Sequence, residues 1–210
     1  MFAFKSIRMY KGVFKLFFIG FSIVFFVKCS DTAITDKVET ESKSSNQIVK
    51  IENHFTIELP NFFIEMNDIN PQAILQYGFI KADIDTSSSF TDDEFYVTII
   101  PFDKANMQKT LLDSNGVSLS DFNWRTAVNL ELILEDFSAE IKSPKTSLIN
   151  GLPCIQNTFF GRLGTYLVYY QMAVYETETQ YYQLLTWCMQ SQSNVHKTKM
   201  NDMINSFEKL

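Results

Sequence analysis

Carboxylates gather in one stretch, where Asp83, Asp85, Asp92, Asp93 and Glu94 fall within twelve residues. They carry enough oxygens to hold a calcium ion, but the spacing lacks the alternation and the turn glycine of a calcium-binding loop. With Ser87, Ser88 and Ser89 among them, they read as a solvated hairpin tip. Should the tip do more, Asp85, Asp92, Asp93 and Glu94 form a contact loop for a basic partner. The two histidines, His54 and His196, lie at opposite ends of the folded part and neither is near a cysteine, so no metal site is expected. No GxSxG elbow is present, and the histidines are as readily surface groups as bases. Tyr166, Tyr169, Tyr170, Tyr175, Tyr181 and Tyr182, with Trp187, have the chemistry to line an apolar ligand pocket. Aromatic strand residues more often fill the space between a sheet and its helices, and that is the expectation here. No catalytic residue and no cofactor is assigned.

The remaining reactive group is Cys29. It follows a basic start (Lys5, Arg8, Lys11, Lys15) and the twelve-residue apolar run Leu16 to Val27. As a helix that run rises about 18 Å, short of the roughly 30 Å hydrocarbon core of a bilayer, so residues 1–28 read as an export signal. FFVKCS resembles the lipoprotein box of bacterial lipoproteins, with Phe26 at the Leu-like position and Lys28 where the box takes a small residue. The resemblance implies processing that leaves Cys29 as an acylated N-terminus. Two other fates stay open: cleavage after Cys29 with release of a soluble protein, or an uncleaved anchor with its basic end in the cytoplasm. All three place the folded part outside the cytoplasm, and the first gives a lipid-anchored protein of the cell envelope.

Residues 29–47 carry the Cys and a Ser-, Thr- and charge-rich stretch, SDTAITDKVETESKSSNQ, too poor in apolar groups to order itself. Such a tether reaches about 20 to 25 Å. Residues 1–28 hold five of the 18 basic groups and no acids, so the remainder has a formal charge of −11. That charge, with no basic patch, excludes nucleic acid as a partner and opposes close contact with anionic lipid. Residues 48–210 have the size of one domain.

Within that domain, Leu152 to Gly161, Thr165 to Tyr175 and Gln180 to Ser191 are β-rich runs separated by short turns, predicting an antiparallel meander. The middle run is apolar on both faces, which requires cover on both sides. Cys154 and Cys188 then sit on strands separated by a third, roughly 9.6 Å apart laterally, beyond the reach of a disulfide. Two buried, unpaired thiols follow. Cover comes from two helices: Asp121 to Phe137, N-capped by Ser120 and burying Trp124, Ala127, Val128, Leu130, Ile133, Leu134 and Phe137; and a last helix after Ser193, with Met200, Met203, Ile204 and Phe207 on one stripe. His54 to Leu59 alternates and stops at Pro60, and Ala73 to Ile84 with Glu94 to Phe102 reads as a hairpin closed by Asp85 to Asp93. The fold class is α+β, an antiparallel β-sheet flanked by helices.

In this order, FTIELP, the hairpin ending FYVTIIPF, the helix opening SLSDFNW, the entry Asn150-Gly151-Leu152-Pro153 to a Tyr-rich meander, and Ser206-Phe207 closing the last helix resemble the PsbP-like family. The resemblance spans most of residues 50 to 210. It implies an α/β/α sandwich and a non-enzymatic binding or assembly role on a larger membrane complex. None of the metal or chloride functions known in that family carries over to residues here. The expectation is an envelope lipoprotein that binds a membrane-associated protein complex. The alternative is a periplasmic or surface carrier or sensor of a small apolar ligand, which requires an internal cavity.

Overall fold

The computed structural model describes residues 46–80, 94–111, 116–138 and 144–210. In chain order the strands are β1 (Asn46–Ile51), β2 (Phe55–Pro60), β3 (Ile64–Glu65), β4 (Leu75–Ile80), β5 (Glu94–Asp103), β6 (Glu135–Ser138), β7 (Lys145–Ile149), β8 (Leu152–Leu163), β9 (Tyr166–Glu176), β10 (Gln180–Met189) and β11 (Glu208–Lys209). The helices are α1 (Lys104–Leu111), α2 (Leu119–Ile133) and α3 (Ser193–Ser206).

The meander forms where the alternation predicted it. Gly164 takes a φ of 60° between β8 and β9, a region open to glycine at no steric cost. The β9–β10 turn is closed by Thr177, whose amide and hydroxyl both donate to the Gln180 carbonyl at 2.9 Å. The sheet extends through the antiparallel pairs β10–β5, β5–β4 and β4–β3 to give the order β3-β4-β5-β10-β9-β8-β6, with β7 also paired to β8. β9 is buried on both faces, as its composition required. Tyr169, Ala173 and Tyr175 enter one core, while Val168, Tyr170, Met172 and Val174 enter the other.

The first core is closed by α3, through Met200, Met203 and Ile204, and by a second, three-stranded sheet of order β1-β2-β11 that contributes Phe55, Ile57 and Leu59. The second core is closed by α2 through Phe122 and Leu130, with Met107 of α1 at its margin. The layers are those of an antiparallel sheet between helical faces, α+β, with the small sheet added to one side. β1 starts at Asn46, two residues ahead of the boundary expected at Ile48.

Four helix expectations are corrected. The N-cap of α2 is Ser118, not Ser120: its hydroxyl accepts from the Asp121 amide at 3.1 Å and donates to the Asp121 carboxylate at 2.6 Å, a reciprocal cap that Ser120, inside the first turn, cannot make. Trp124 is not buried but 63% exposed. The buried arc of α2 includes the polar Asn123 and Thr126, since the Asn123 side chain pairs with Asn157 of β8 and the Thr126 hydroxyl donates to the Phe122 and Asn123 carbonyls. That arc turns Trp124 outward. Finally, α2 stops at Ile133, and Leu134 turns extended (φ −90°, ψ 126°) to start β6. α3 likewise stops at Ser206, and Phe207 leads into β11, which pairs with β2.

The early end of α2 has a tertiary cause. A Cβ on Gly161 would stand 2.7 Å from both Cβ and Cδ1 of Leu134, so the bare glycine backbone is the floor on which Leu134 leaves the helix. Gly161→Val is expected to cost about 1 to 3 kcal/mol through overpacking. A drop in the urea midpoint of corresponding size checks it, and an unchanged midpoint would refute the contact's role.

Candidate functional site

The tyrosines fill the two cores. Tyr175 stacks on Phe207 with ring centroids 4.1 Å apart and donates to the Ile204 carbonyl at 2.6 Å, tying β9 to the end of α3. Tyr181 stacks on Phe122 of α2 at 4.6 Å and donates to the Val117 carbonyl. Tyr182 donates to Gln180 Oε1, and its phenol oxygen lies 3.0 Å from His54 Nδ1. Tyr169 accepts from Gln171 Nε2 at 2.9 Å. Tyr96, Trp187 and Tyr170 are register partners on β5, β10 and β9. Their rings stack in a row, with centroids 5.3 and 6.1 Å apart, while Tyr166 at the end of β9 is half-buried.

His196 is buried in α3 with its ring stacked on Phe95 at 4.5 Å, so the surface position entertained from sequence gives way to a core one. Cys154 and Cys188 are buried and form no disulfide. They lie on β8 and β10 with β9 between them, the geometry expected. Burial pushes the Cys154 thiol up to about 12, against smaller opposing effects of Lys145 and the Val174 backbone; it is a poor nucleophile at neutral pH.

Of the contact loop, Asp85, Asp92 and Asp93 lie outside the described residues, as does Cys29. Glu94 opens β5, half-buried, and accepts from the Tyr96 hydroxyl at 3.0 Å. Burial raises its carboxyl above the usual range, and the Tyr96 hydrogen bond partly offsets that.

Sequence reasoning missed the depression of about 480 Å³ where β5 meets α1, lined by Asp103, Lys104, Val117, Glu176 and Tyr181. Lys104 Nζ lies 2.7 Å from Glu176 Oε1, donates to the Thr177 carbonyl at 2.6 Å and sits 4.7 Å above the Tyr181 ring. Its charge is therefore committed to tying the start of α1 to the β9–β10 turn. Burial raises the Tyr181 phenol to about 12, with the charge and hydrogen bond of Glu176 and the charge of Asp121 adding to it. No sequence signal marked this site, because Lys104 and Glu176 are 72 residues apart. It is half open and mixed in polarity rather than an enclosed apolar cavity, which suits a structural tie better than an apolar ligand.

Among the described residues no group of three His, Cys, Asp or Glu is placed to hold a metal ion, and no helix is long and apolar enough to cross a membrane. The exposed large apolar side chains include Phe62, Ile64 and Ile80 at the β3–β4 edge, and Trp124 and Leu132 on α2.

No protein-family model and no curated protein matches the chain. Solved structures do. The cyanobacterial PsbP (CyanoP) of Synechocystis sp. PCC 6803 superposes with a TM-score of 0.52 at 12% identity, covering 83% of this chain and 98% of that one. LpqN of Mycobacterium tuberculosis, described as involved in cell envelope biogenesis, gives a TM-score of 0.46 at 10% identity, covering 82% and 88%. The likeness to CyanoP shows a PsbP-like α+β fold, as the sequence resemblance implied.

Proposed function

We propose that this chain is a non-enzymatic envelope lipoprotein, held to a membrane by acylated Cys29, whose PsbP-like domain binds a membrane-associated protein complex. The observation that carries the reading is the order basic start, apolar run, Cys29, acidic tether, folded domain. The packing of the domain supports it. Tyr175, Tyr181 and Tyr182, which a carrier of an apolar ligand would need around a cavity, are among the largest fully buried side chains of the two cores. Recognition then falls to the outer surface. By sequence, the carboxylate-rich stretch with Asp85, Asp92, Asp93 and Glu94 suits a basic face on the partner.

Cys29→Ala is expected to abolish fatty-acid labelling and to move the chain almost wholly from the membrane to the soluble fraction. Membrane retention without labelling of the wild type would instead establish an uncleaved helix. The partner is tested by in-cell cross-linking of a C-terminally tagged copy followed by affinity purification. A stoichiometric membrane complex, lost in an Asp85→Asn, Asp92→Asn, Asp93→Asn and Glu94→Gln variant, is the expected result. Recovery of the wild type alone would overturn the assembly reading.

A further inference from the structure

Of the exposed large apolar side chains, three fall together while Ile48, Leu148, Leu167 and Val195 stand on separate elements. Phe62, Ile64 and Ile80 are 41%, 61% and 44% exposed and meet at the β3–β4 edge of the large sheet. Ile64 pairs with Gly78, two residues before Ile80, so both isoleucines stand on one face. Phe62 packs edge-on against the ring of Phe79 at 4.9 Å, and Phe79 alternates to the other face. The margin is therefore apolar on both sides of a strand only two residues long.

The chain enters the domain at the same place. Gln47, second residue of β1, donates from Nε2 to the Pro60 carbonyl at 3.1 Å and to the Phe63 carbonyl at 2.9 Å. The start of β1 is thus fastened to the turn that carries Phe62. Cys29 lies seventeen residues before Asn46, and a stretch of that composition and length reaches about 20 to 25 Å.

We infer that this edge docks on the bilayer surface, with Phe62, Ile64 and Ile80 entering the boundary between headgroups and acyl chains. The inference rests on the anchoring reading above. Aromatic and branched aliphatic side chains suit that boundary. Three of them bind weakly alone, but a tether of this reach holds them at high effective concentration over the surface. The lipid is zwitterionic in headgroup: the exposed Glu65 and Asp68 beside the edge, and the formal charge of −11 beyond residue 28, repel anionic lipid. Trp124 lies on α2, which packs over β8 and β9 towards the opposite margin of the sheet, and so faces away from the docked edge.

The test uses the acylated full-length chain in phosphatidylcholine vesicles, with and without bromines on the acyl chains. The emission gained by Phe62→Trp is compared with the wild-type emission of Trp124 and Trp187. Brominated lipid is expected to quench the added emission about threefold more strongly than the native emission. Adding Ile64→Asp and Ile80→Asp should remove that excess while acyl mass and far-ultraviolet circular dichroism stay unchanged. Quenching at position 62 no stronger than the native level overturns the docking. So does quenching that grows with the number of chains per vesicle, which would mean that β3 edges pair between two copies. Absence of acyl mass in the same sample overturns the anchoring reading instead; the docking is then read on nickel-chelating vesicles through a histidine tag placed ahead of Ser30.

Discussion

Phe207→Ala is expected to lower the stability of the domain by about 3 to 5 kcal/mol, the range for truncating a buried aromatic ring. Phe207 is fully buried where three elements meet. Its ring stacks on Tyr175 of β9 at 4.1 Å, leans on Phe55 of β2 at 4.9 Å and touches Tyr182 of β10 at 5.5 Å. Removing it opens a cavity that a β-sheet on one side and a second sheet on the other cannot collapse to fill. Domains of this size are stable by about 5 to 15 kcal/mol, so the loss is a large share of the total. A fall in melting temperature of roughly 10 °C or more is expected. A shift of only a degree or two would mean that the small sheet and α3 are held to the large sheet by other contacts. Phe207→Leu, which keeps apolar bulk but not the stack, should lie between the two.

The second large effect is an alkaline unfolding transition. Burial raises the phenols of Tyr96, Tyr170 and Tyr175 well above the ordinary value of 10.0, the Tyr181 phenol to about 12, and the Cys154 thiol from 9.0 to about 12. In the unfolded chain Cys154 loses its proton near pH 9 and the tyrosines near pH 10. The folded chain keeps those protons, so above pH 9 it binds more protons than the unfolded chain, and rising pH favours unfolding. The stabilisation is complete below pH 9 and is lost as pH climbs through 12. Each unit of difference is worth up to about 1.4 kcal/mol for the deeply buried Tyr170 and Tyr175, and less for Tyr96 and Tyr181, which solvent partly screens. The urea midpoint should stay flat from neutral pH to pH 9 and fall steeply above pH 10. Phenolate absorbance of the buried tyrosines should appear together with the loss of circular dichroism, not before it. Tyr170→Phe should move the transition to higher pH. Full phenolate titration near pH 10 with the fold intact would show that the cores admit water.

The meander was legible because its strands obey local rules. Alternation marks the faces of β9, Gly164 and the Glu176 to Thr179 stretch mark the turns, and the separation of Cys154 from Cys188 follows from strand spacing alone. What was not legible depends on distant partners. The helical pattern runs on past Ile133 to Phe137, and what receives the chain instead lies some 27 positions on: the bare backbone of Gly161 under Leu134, and β8, which pairs with β6. Trp124 counted as core and Phe122 did not, because the buried face was drawn through apolar residues alone, whereas Asn157 holds the polar Asn123 inside and Phe122 lies beside it in the core. β1 hid in a polar context, since half its residues point to solvent. β11 has two residues and no propensity to announce it; it exists because β2 offers an edge. The tie among Lys104, Glu176 and Tyr181 is of the same kind, as is the gathering of Phe62, Ile64 and Ile80 at one margin.

The pairing of β2 with β11 bears on the timing of folding. The Glu58 amide donates to the Ser206 hydroxyl across 148 residues of chain, and Phe55, Ile57 and Leu59 pack with Met200, Met203 and Ile204 in one core. A ribosome delivers β2 early and its partners late, so this core stays incomplete while most of the domain is being synthesised. Closing so long a loop is slow, and the growing chain cannot shut prematurely around its own first strands. For a chain exported as proposed above, this order keeps the domain open during threading, because the residues that seal it are made late in the domain.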